Sequence, residues 1–231
     1  MFCILGAGLA IGMGAIGSAV GEGFVAMKAV ESLGRQPKAS DKILRMMIIA
    51  QAITETAAIF ALVIALVLLF NNPVGASVTK AITLLSAGIA IGFGTIGSGL
   101  GAGLPGGSAM QGIGRNPENA DALTINMIIG QAVTQTSTIF ALTVSLILIT
   151  LSPEDNYLNR FSLLGAGFAM GIGAIGPGIG DGLVAKNASL AIGENPKEVG
   201  LLTRTMIIGQ AITETTDIYS LVVSLILIFV V

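Results

Sequence analysis

Two glutamates of this sequence, Glu55 and Glu214, lie inside long apolar stretches, and each closes the same motif, Gln-Ala-Ile-Thr-Glu. Glu55 lies 12 residues past Ile43. On a helix rising ~1.5 Å per residue this is about 18 Å into the stretch, near the middle of a bilayer. Burying an ionisable group there is costly, so such residues mark functional sites. The alternative is a protonated acid that only joins helices. Because the position recurs with the same neighbours, the sequence favours a functional site.

A second acid precedes each of these glutamates, in the preceding apolar stretch, where Glu22 and Asp181 occupy equivalent positions. Two carboxylates in one apolar site cannot both stay ionised without a cation or a proton, because each charge disfavours the other. The sequence therefore predicts a cation bound between the carboxylates or a proton that they share. Nearby hydroxyls add oxygen ligands of the kind that a hard cation such as Na⁺ uses. They belong to Thr56, Thr215 and Thr216. Tyr219 is placed to hold Glu214 in position.

These motifs recur because the chain repeats itself three times. Residues 47–56 return as residues 127–136 and again as residues 206–215, at offsets of 80 and 79 residues. We therefore divide the chain into three units, residues 1–75, 76–155 and 156–231. The second unit has Gln135 and Ala102 where the others have acids. A neutral amide neither releases a proton nor balances a cation, so we predict that the second unit is silent in ion transport.

The composition indicates what surrounds these sites. Of 231 residues, 11 are Lys or Arg, 13 are Asp or Glu, 53% are hydrophobic and 32 are glycine, whereas ordinary domains carry about 25% charged residues. So few charged groups suit a chain whose outer surface meets lipid. The net charge of −2 gives no reason to expect nucleic acid as a partner. Without histidine, His-type metal sites and His catalysis are excluded, and Cys3, the single cysteine, forms no internal disulfide.

Each unit contains two apolar stretches, either of them long enough to cross a bilayer as a helix, joined by a short polar segment. Pro37, Pro117 and Pro196 lie in these segments and prevent one helix from running through. The beginning of the chain lacks the basic region of a cleaved signal peptide, so its first stretch is kept as a span. The prediction is an all-α membrane protein of six transmembrane helices, arranged as three tandem helical hairpins of parallel orientation.

The basic residues predict which side of the membrane the hairpin turns face. Lys80 and Arg160 lie in the connectors between the units. The other nine lie at or near the hairpin turns: Lys28, Arg35, Lys38, Lys42, Arg45, Arg115, Lys186, Lys197 and Arg204. Since basic residues remain in the cytoplasm, the turns are expected there and both termini outside.

Glycines fall almost entirely on the first helix of each hairpin, as at Gly12, Gly14, Gly17 and Gly21. Residues 12–17 fit the G-x-G-x-x-G nucleotide fingerprint, but that fingerprint needs a preceding strand, and nothing here alternates like strands. Small residues instead let helix backbones approach closely. Thin first helices beside bulky second helices build a curved wall, so we expect many hairpins to close into a ring with the glycine-rich helices inside.

Taken together, these residues resemble the c subunit of F-type ATP synthases, the proteolipid of the rotor ring, and in particular its sodium-binding versions. The elements that carry the resemblance are the glycine-rich first helices, the loops Arg35-Gln36-Pro37 and Arg115-Asn116-Pro117, and the Gln-Ala-Ile-Thr-Glu-Thr motif. The resemblance implies a ring of copies in the plasma membrane of a prokaryote. A non-catalytic subunit of this kind binds Na⁺ or H⁺ and no organic cofactor. Its expected partners are the stator's a subunit, the central stalk and membrane lipid.

The resemblance also assigns roles to residues. Glu55 and Glu214 would carry the ion, with Glu22 and Asp181 as ligands from the first helices. The hydroxyls of Thr56 or Thr215 and the backbone carbonyls of Ile53 or Ile212 would complete the coordination. Thr216 would hold a water and Tyr219 would brace the carboxylate. The loops that contain Arg35, Gln36, Pro37, Arg115, Asn116, Pro117, Asn195 and Pro196 would contact the stalk.

Several alternatives remain open at the level of sequence. Members of this family usually have one hairpin per chain, whereas this chain fuses three. The same acids could serve a stand-alone cation transporter or channel, or a V-type-like rotor proteolipid of an ATP-driven Na⁺ pump. Asp217, one turn past Glu214, is either an outer ligand of the site or a protonated packing residue. A detergent-stable ring in multiples of three hairpins would distinguish a rotor from a transporter.

Overall fold

A computed structural model describes residues 2–70 and 75–230, which form eight α-helices. In chain order these are α1 (Phe2–Arg35), α2 (Ser40–Phe70), α3 (Val78–Arg115), α4 (Ala120–Thr134), α5 (Thr136–Thr150), α6 (Tyr157–Gly173), α7 (Ile175–Glu194) and α8 (Val199–Phe229). The described residues contain no strand. They provide six segments long and apolar enough to cross a membrane. The predicted all-α membrane fold with six spans is therefore confirmed.

The three hairpin turns are built alike. Each is a one-turn 3₁₀ helix that begins at a proline: Pro37–Ala39, Pro117–Asn119 and Pro196–Glu198. The residues before these prolines, Gln36, Asn116 and Asn195, leave the helical conformation, with φ between −129° and −143°. Contact with the proline ring disfavours the helical region for the residue that precedes proline. The prolines therefore end the first helix of each hairpin, as predicted.

Two of the six spans are divided, which the sequence analysis did not predict. The break between α6 and α7 lies at Ala174, because Pro177 has no N–H to donate to the carbonyl of Gly173 four residues earlier. The break between α4 and α5 lies at Gln135, whose φ of −79° and ψ of −8° flatten one turn. Here the backbone N–H of Gln135 still donates to Gln131 O at 3.2 Å, so the span continues in nearly the same direction.

The first helices of the hairpins form one row, with α3 between α1 on one side and α6 and α7 on the other. The second helices pack outside this row: α2 on α1 and α3, α4 and α5 on α3 and the third hairpin, and α8 on α6 and α7. Most buried residues of α1 and α3 are glycine, alanine or serine, although α3 also buries Leu84, Ile91, Met110 and Ile113. The outer helices bury bulkier residues such as Ile64, Leu68 and Leu148. The described residues therefore form a thin inner layer and a thick outer layer.

Glycines bring the helices of the inner row into backbone contact. A Cβ added to Gly101 of α3 would overlap the carbonyl oxygen of Gly178 in α7. Likewise, a Cβ on Gly17 of α1 would overlap the carbonyl oxygen of Ile96 in α3. Any larger residue at these positions would force the helices apart. The predicted role of the glycines in helix packing is therefore observed between neighbouring hairpins.

The same pattern leaves two edges without a neighbour. Gly88, Gly92 and Gly103 of α3 lie against α1, but the equivalent residues of α1, Gly8, Gly12 and Gly23, meet nothing within 4 Å. At the opposite edge, Gly176 of α7 also meets nothing within 4 Å, whereas the equivalent Gly97 lies against Ile175. Each open edge thus repeats a surface that elsewhere in the chain packs against a hairpin.

The connector between the second and third hairpins is fixed by polar contacts at the end of the molecule opposite the turns. Asp155 accepts hydrogen bonds from the amide and hydroxyl of Thr79, at 3.2 and 2.5 Å, and forms an ion pair with Arg160 at 2.9 Å. Lys80 donates to the carbonyl oxygens of Ile149 and Leu151, at 2.7 and 2.5 Å. These bonds cap the end of α5 and join it to the beginning of α3.

Candidate ion-binding sites

A repeated hydrogen bond fixes the two helices of each hairpin at the depth of the acids. Gln51, Gln131 and Gln210 each donate to the backbone carbonyl 29 residues earlier, at 3.4, 2.9 and 3.2 Å. Those carbonyls belong to Glu22, Ala102 and Asp181. The bond therefore holds each first-helix position beside the outer helix that carries Glu55, Gln135 or Glu214. The sequence equivalence of the three positions becomes a structural equivalence.

In the first hairpin, Glu22 and Glu55 lie within electrostatic range of each other. Glu22 is half-buried, and Glu55 is exposed on the open edge of the row. Thr56 is half-buried, and its hydroxyl donates to Ala52 O of its own helix at 3.3 Å. Glu22 and Glu55 therefore lie near each other in the first hairpin. At this edge of the described chain no second hairpin covers the two acids.

The third hairpin carries three acids close together. Asp181 on α7 lies within electrostatic range of both Glu214 and Asp217 on α8. Asp181 and Asp217 are fully buried, and neither carboxylate has a hydrogen-bond partner among the described residues. The hydroxyl of Ser137 on α5 lies beside Asp217 but outside hydrogen-bond geometry, and it too has no partner in the described part of the chain. Since an uncompensated buried charge is costly, these acids require cations or protons.

Glu214 is contacted from the neighbouring hairpin. The hydroxyl of Thr136, at the beginning of α5, is in hydrogen-bond contact with Glu214 Oε1. The same hydroxyl lies 2.6 Å from the carbonyl oxygen of Val133. Thr136 and Val133 are the second-hairpin equivalents of the hydroxyl and carbonyl residues named from the sequence. A carboxylate, a hydroxyl and a backbone carbonyl thus converge across the junction between the second and third hairpins.

The junction between the first and second hairpins has the same geometry without the charge. Gln135, only 6% exposed, donates from Nε2 to Ile53 O on α2 at 3.0 Å. Ala102, at the position of the inner acid, is fully buried. The polar groups that meet here are an amide and a backbone carbonyl.

Other residues named from the sequence are not brought to Glu214. Ile212 is 67% exposed and Tyr219 65% exposed, and Thr215 and Thr216 are also exposed. The Thr215 hydroxyl donates to Ile212 O at 2.7 Å and the Thr216 hydroxyl to Thr213 O at 3.0 Å. No described hydrogen bond joins Tyr219 to Glu214. These residues lie along the surface of α8 away from the second hairpin.

Thr136, Ser137 and the three bridging glutamines were not identified as parts of the sites from the sequence. The signal for Thr136 and for the glutamines was present, because they belong to the repeated motif that also supplies Thr56 and Thr215. The motif does not tell that the hydroxyl of Thr136 lies beside the acid of the next hairpin. Ser137 had a weaker signal, since Thr216 occupies its equivalent position in the third hairpin but Ala57 does so in the first.

The polar loops lie together at the opposite end from the connector. Arg115 and Glu194, from the second and third loops, form an ion pair at 3.0 Å. Lys42 donates to Pro117 O at 3.1 Å and so joins the first two loops. Arg35, Pro37 and Asn195 are exposed, and Gln36, Asn116, Pro117 and Pro196 are half-buried. The loops thus form one continuous polar end that a partner could contact.

The described residues contain no cluster of three or more His, Cys, Asp or Glu side chains arranged to hold a metal ion by themselves. Any cation here would be held by carboxylates together with hydroxyl and backbone carbonyl oxygens, the oxygen-only type of site. The junction at Glu214 offers all three kinds of oxygen. Oxygen atoms of these three kinds can bind a hard cation, and the carboxylate can alternatively bind a proton.

Comparison with known proteins shows the same threefold pattern. A family model that describes the C subunit of ATP synthase matches residues 5–68, 85–148 and 164–227. An ATP synthase c subunit from Petrotoga mobilis is 55% identical over 74 residues, 32% of this chain and 75% of the relative. Proteins of the same name from Alkaliphilus oremlandii (53% over 68 residues; 29% and 76%) and Natranaerobius thermophilus (55% over 69 residues; 30% and 79%) are also similar.

Proposed function

The chain belongs to the family of ATP synthase c subunits, and from this we propose that it builds an ion-carrying rotor ring in a membrane. The ring couples ion flow to ATP synthesis or hydrolysis elsewhere in the complex. Its hairpins, residues 1–75, 76–155 and 156–231, act as three successive rotor units. Glu55 and Glu214 carry the ion, and the second hairpin carries none. The contact of Thr136 with Glu214 across a hairpin junction is the observation that supports this assignment most directly.

Na⁺ is the ion we propose, with H⁺ as the alternative on the same carboxylates. Each ion-carrying glutamate has an inner acid nearby, Glu22 or Asp181, and a hard cation suits a set of carboxylate, hydroxyl and carbonyl oxygens. During rotation the site faces lipid, where a bare charge costs at least ~2.5–3.5 kcal/mol. The loaded site must therefore be neutral. The second acid of each pair is balanced by a proton when one Na⁺ is bound.

The ligands of each site come from two hairpins. For Glu214 the third hairpin supplies the acids, and the second supplies the Thr136 hydroxyl and the Val133 carbonyl. The matching groups of the third hairpin, Thr215 and Ile212, are exposed. We propose that they serve Glu55 of a second copy, for which Tyr219 and Thr216 then lie near the site. The Glu55 site is incomplete in a single chain.

The open glycine edges support a ring of such copies. Gly8, Gly12 and Gly23 of α1 are equivalent to the α3 glycines that pack against α1. Gly176 of α7 is equivalent to Gly97, the α3 glycine that packs against α7. A second copy placed edge to edge would fill both surfaces with the contacts already seen inside the chain. Repeating one heterologous contact with a constant rotation closes a ring.

The remaining partners follow from the family. The polar loops, held together by Lys42 with Pro117 O and by Arg115 with Glu194, are the proposed stalk-contact face and lie in the cytoplasm, with the termini outside. The stator's a subunit supplies a fixed positive charge, opposite which each carrier unloads. Membrane lipid covers the outer helices.

Purification of the intact ring tests the proposal. We expect a detergent-stable ring whose mass is a whole number of chains, hence hairpins in multiples of three. Carbodiimide should modify Glu55 and Glu214, and Na⁺ should slow that modification. Modification that responds to pH alone assigns H⁺ as the ion. A monomer that transports cations by itself would overturn the rotor assignment in favour of a stand-alone transporter.

A further inference from the structure

We infer that the carboxamide of Gln135 takes the place of a bound ion at the junction between the first and second hairpins. This inference rests on the proposed ion sites and concerns the junction to which they assign no ion. The contact of Gln135 Nε2 with the carbonyl oxygen of Ile53 is called the amide bridge below. It joins the two hairpins without an ion.

The position of the amide carries the inference. Gln135 is the equivalent of Glu214, and Ile53 is the equivalent of Val133, so the bridge joins the same two positions that converge at the Glu214 site. Nε2 lies 3.0 Å from Ile53 O, a good N–H···O distance. The donor therefore meets a carbonyl that, in a loaded site, faces a cation or an acidic proton. Both arrangements satisfy that carbonyl and leave the site neutral.

The surroundings of the bridge carry no negative charge. Nε2 of Gln131 lies within hydrogen-bond distance of Ala50 O, the Thr54 hydroxyl and Ala102 O, at 3.0, 3.2 and 2.9 Å. The carboxamide oxygens of Gln131 and Gln135 are buried without a hydrogen-bond partner among the described residues, but both are uncharged. Ala102 offers no carboxylate. A cation placed here would find no negative charge to balance it, so the junction disfavours a cation by its charge.

The amide bridge also explains how a rotor unit without a carrier can pass through lipid. The Ile53 carbonyl lies inside α2 and accepts the helical hydrogen bond from the N–H four residues later. Gln135 donates a second hydrogen bond to this carbonyl, which a truncated side chain at 135 would remove. The amide thus joins the two hairpins and adds no charge. Gln135 is thus a positioning residue that keeps the first two hairpins together while the neighbouring sites load and unload.

Two variants of the full-length chain, purified as the ring, test this inference. In Gln135→Ala the bridge is lost, and we expect amide hydrogen exchange in the α2 peptide around Ile53 to be about fivefold faster, a typical effect of one hydrogen bond. Na⁺ should not reverse the change. Exchange at the wild-type rate in this variant would overturn the inference, because the amide would then contribute nothing to the junction.

In Gln135→Glu a carboxyl group replaces the carboxamide beside Ile53 O. The chain then has carboxyl groups at all three equivalent positions, 55, 135 and 214. We expect carbodiimide to modify position 135, and Na⁺ or pH to change that modification in the same direction as at Glu214 of the same chain. If Na⁺ or pH changes the modification of Glu214 but not that of the glutamate at position 135, position 135 is not an ion-binding position and the inference is wrong. If Glu55 and Glu214 respond to neither agent, the proposed function fails, and the Gln135→Ala exchange rates still decide whether the bridge exists.

Discussion

Thr136 and Glu214 are 78 residues apart in the sequence, yet the hydroxyl of the first is in hydrogen-bond contact with the carboxylate of the second. The two residues belong to different hairpins, and Thr136 belongs to the hairpin without a carrier. The hairpin that is predicted to carry no ion therefore takes part in a neighbour's site. Fusion of the three hairpins makes this contact part of one chain.

The first prediction concerns the carriers. Glu55→Gln and Glu214→Gln should each abolish ion transport coupled to ATP hydrolysis in the assembled complex, because an amide cannot release a proton or balance a cation. Gln135→Ala should retain coupled transport, since the proposed site there binds no ion. Reconstituted vesicles that contain the whole complex provide the measurement. Normal coupling in either glutamate variant would remove that residue from the ion path.

The second prediction concerns the shared hydroxyl. Thr136→Val should weaken ion binding at Glu214 by about tenfold, since a hydrogen bond to a charged group contributes ~1.5–3 kcal/mol. The protection of Glu214 against carbodiimide, titrated with Na⁺ and with pH, measures the change. Thr56→Val is the matched control, because Thr56 is the equivalent residue of the first hairpin, and the second hairpin has Gln135 where the third has Glu214. Equal effects of both variants on Glu214 would contradict the assignment.

The third prediction concerns the backbone contact between inner helices. Gly101→Ala places a methyl group against the carbonyl of Gly178, and overpacking of this kind costs about 1–3 kcal/mol. We expect a lower melting temperature of the purified ring and a lower yield of assembled complex. Gly200→Ala is the control, because a Cβ there meets nothing within 4 Å. It should be neutral or slightly stabilising, since alanine favours the helix.

The fourth prediction concerns pH. Hydrogen bonds from Thr79, above all from its hydroxyl, and the bond from Arg160 hold the pKa of Asp155 below its usual range. A lowered folded-state pKa stabilises the fold above the unfolded-state pKa of about 3.9, and this stabilisation is lost as the pH falls through the folded-state pKa. Asp155→Asn should therefore lower the melting temperature at neutral pH, and the difference from wild type should shrink in acid.

Circular dichroism melts across pH measure that difference. Glu154→Gln is the control for Asp155→Asn, since Glu154 is the exposed neighbouring acid and its side chain makes no ion pair within the described residues. A constant difference between Asp155→Asn and wild type down to strongly acidic pH would contradict the role of the ionised carboxylate.

Much of the fold follows from local features of the sequence. Pro37, Pro117 and Pro196 disfavour the helical conformation at the residue before them and lie in short polar segments between apolar stretches, so the hairpin turns are predictable from the local sequence. The six spans follow from the length of the apolar stretches. The division at Ala174 was also implicit in Pro177, but proline inside a membrane helix does not always break it, as Pro105 within the continuous α3 shows.

The sites were predictable only in part. Counting from the turn places Glu22 and Glu55 at comparable depths, but the sequence does not show which inner acid faces which carrier. The relation between hairpins depends on the rotation of one inner helix against the next, which glycine contacts determine and the motif does not encode. For this reason Thr136 was missed as a partner of Glu214, and Asp217 could not be placed beside Ser137 from sequence alone.

The amide bridge has a consequence for the motion of the proposed rotor. Around such a ring, the junctions at Glu214 and at the Glu55 of the next copy are adjacent, and the bridged junction follows them. The rotor then turns in unequal steps, which alternate between the width of one hairpin and the width of two. No ion drives the ring while the second hairpin passes the stator. The central stalk that the ring turns must therefore store enough elastic twist to complete the longer step.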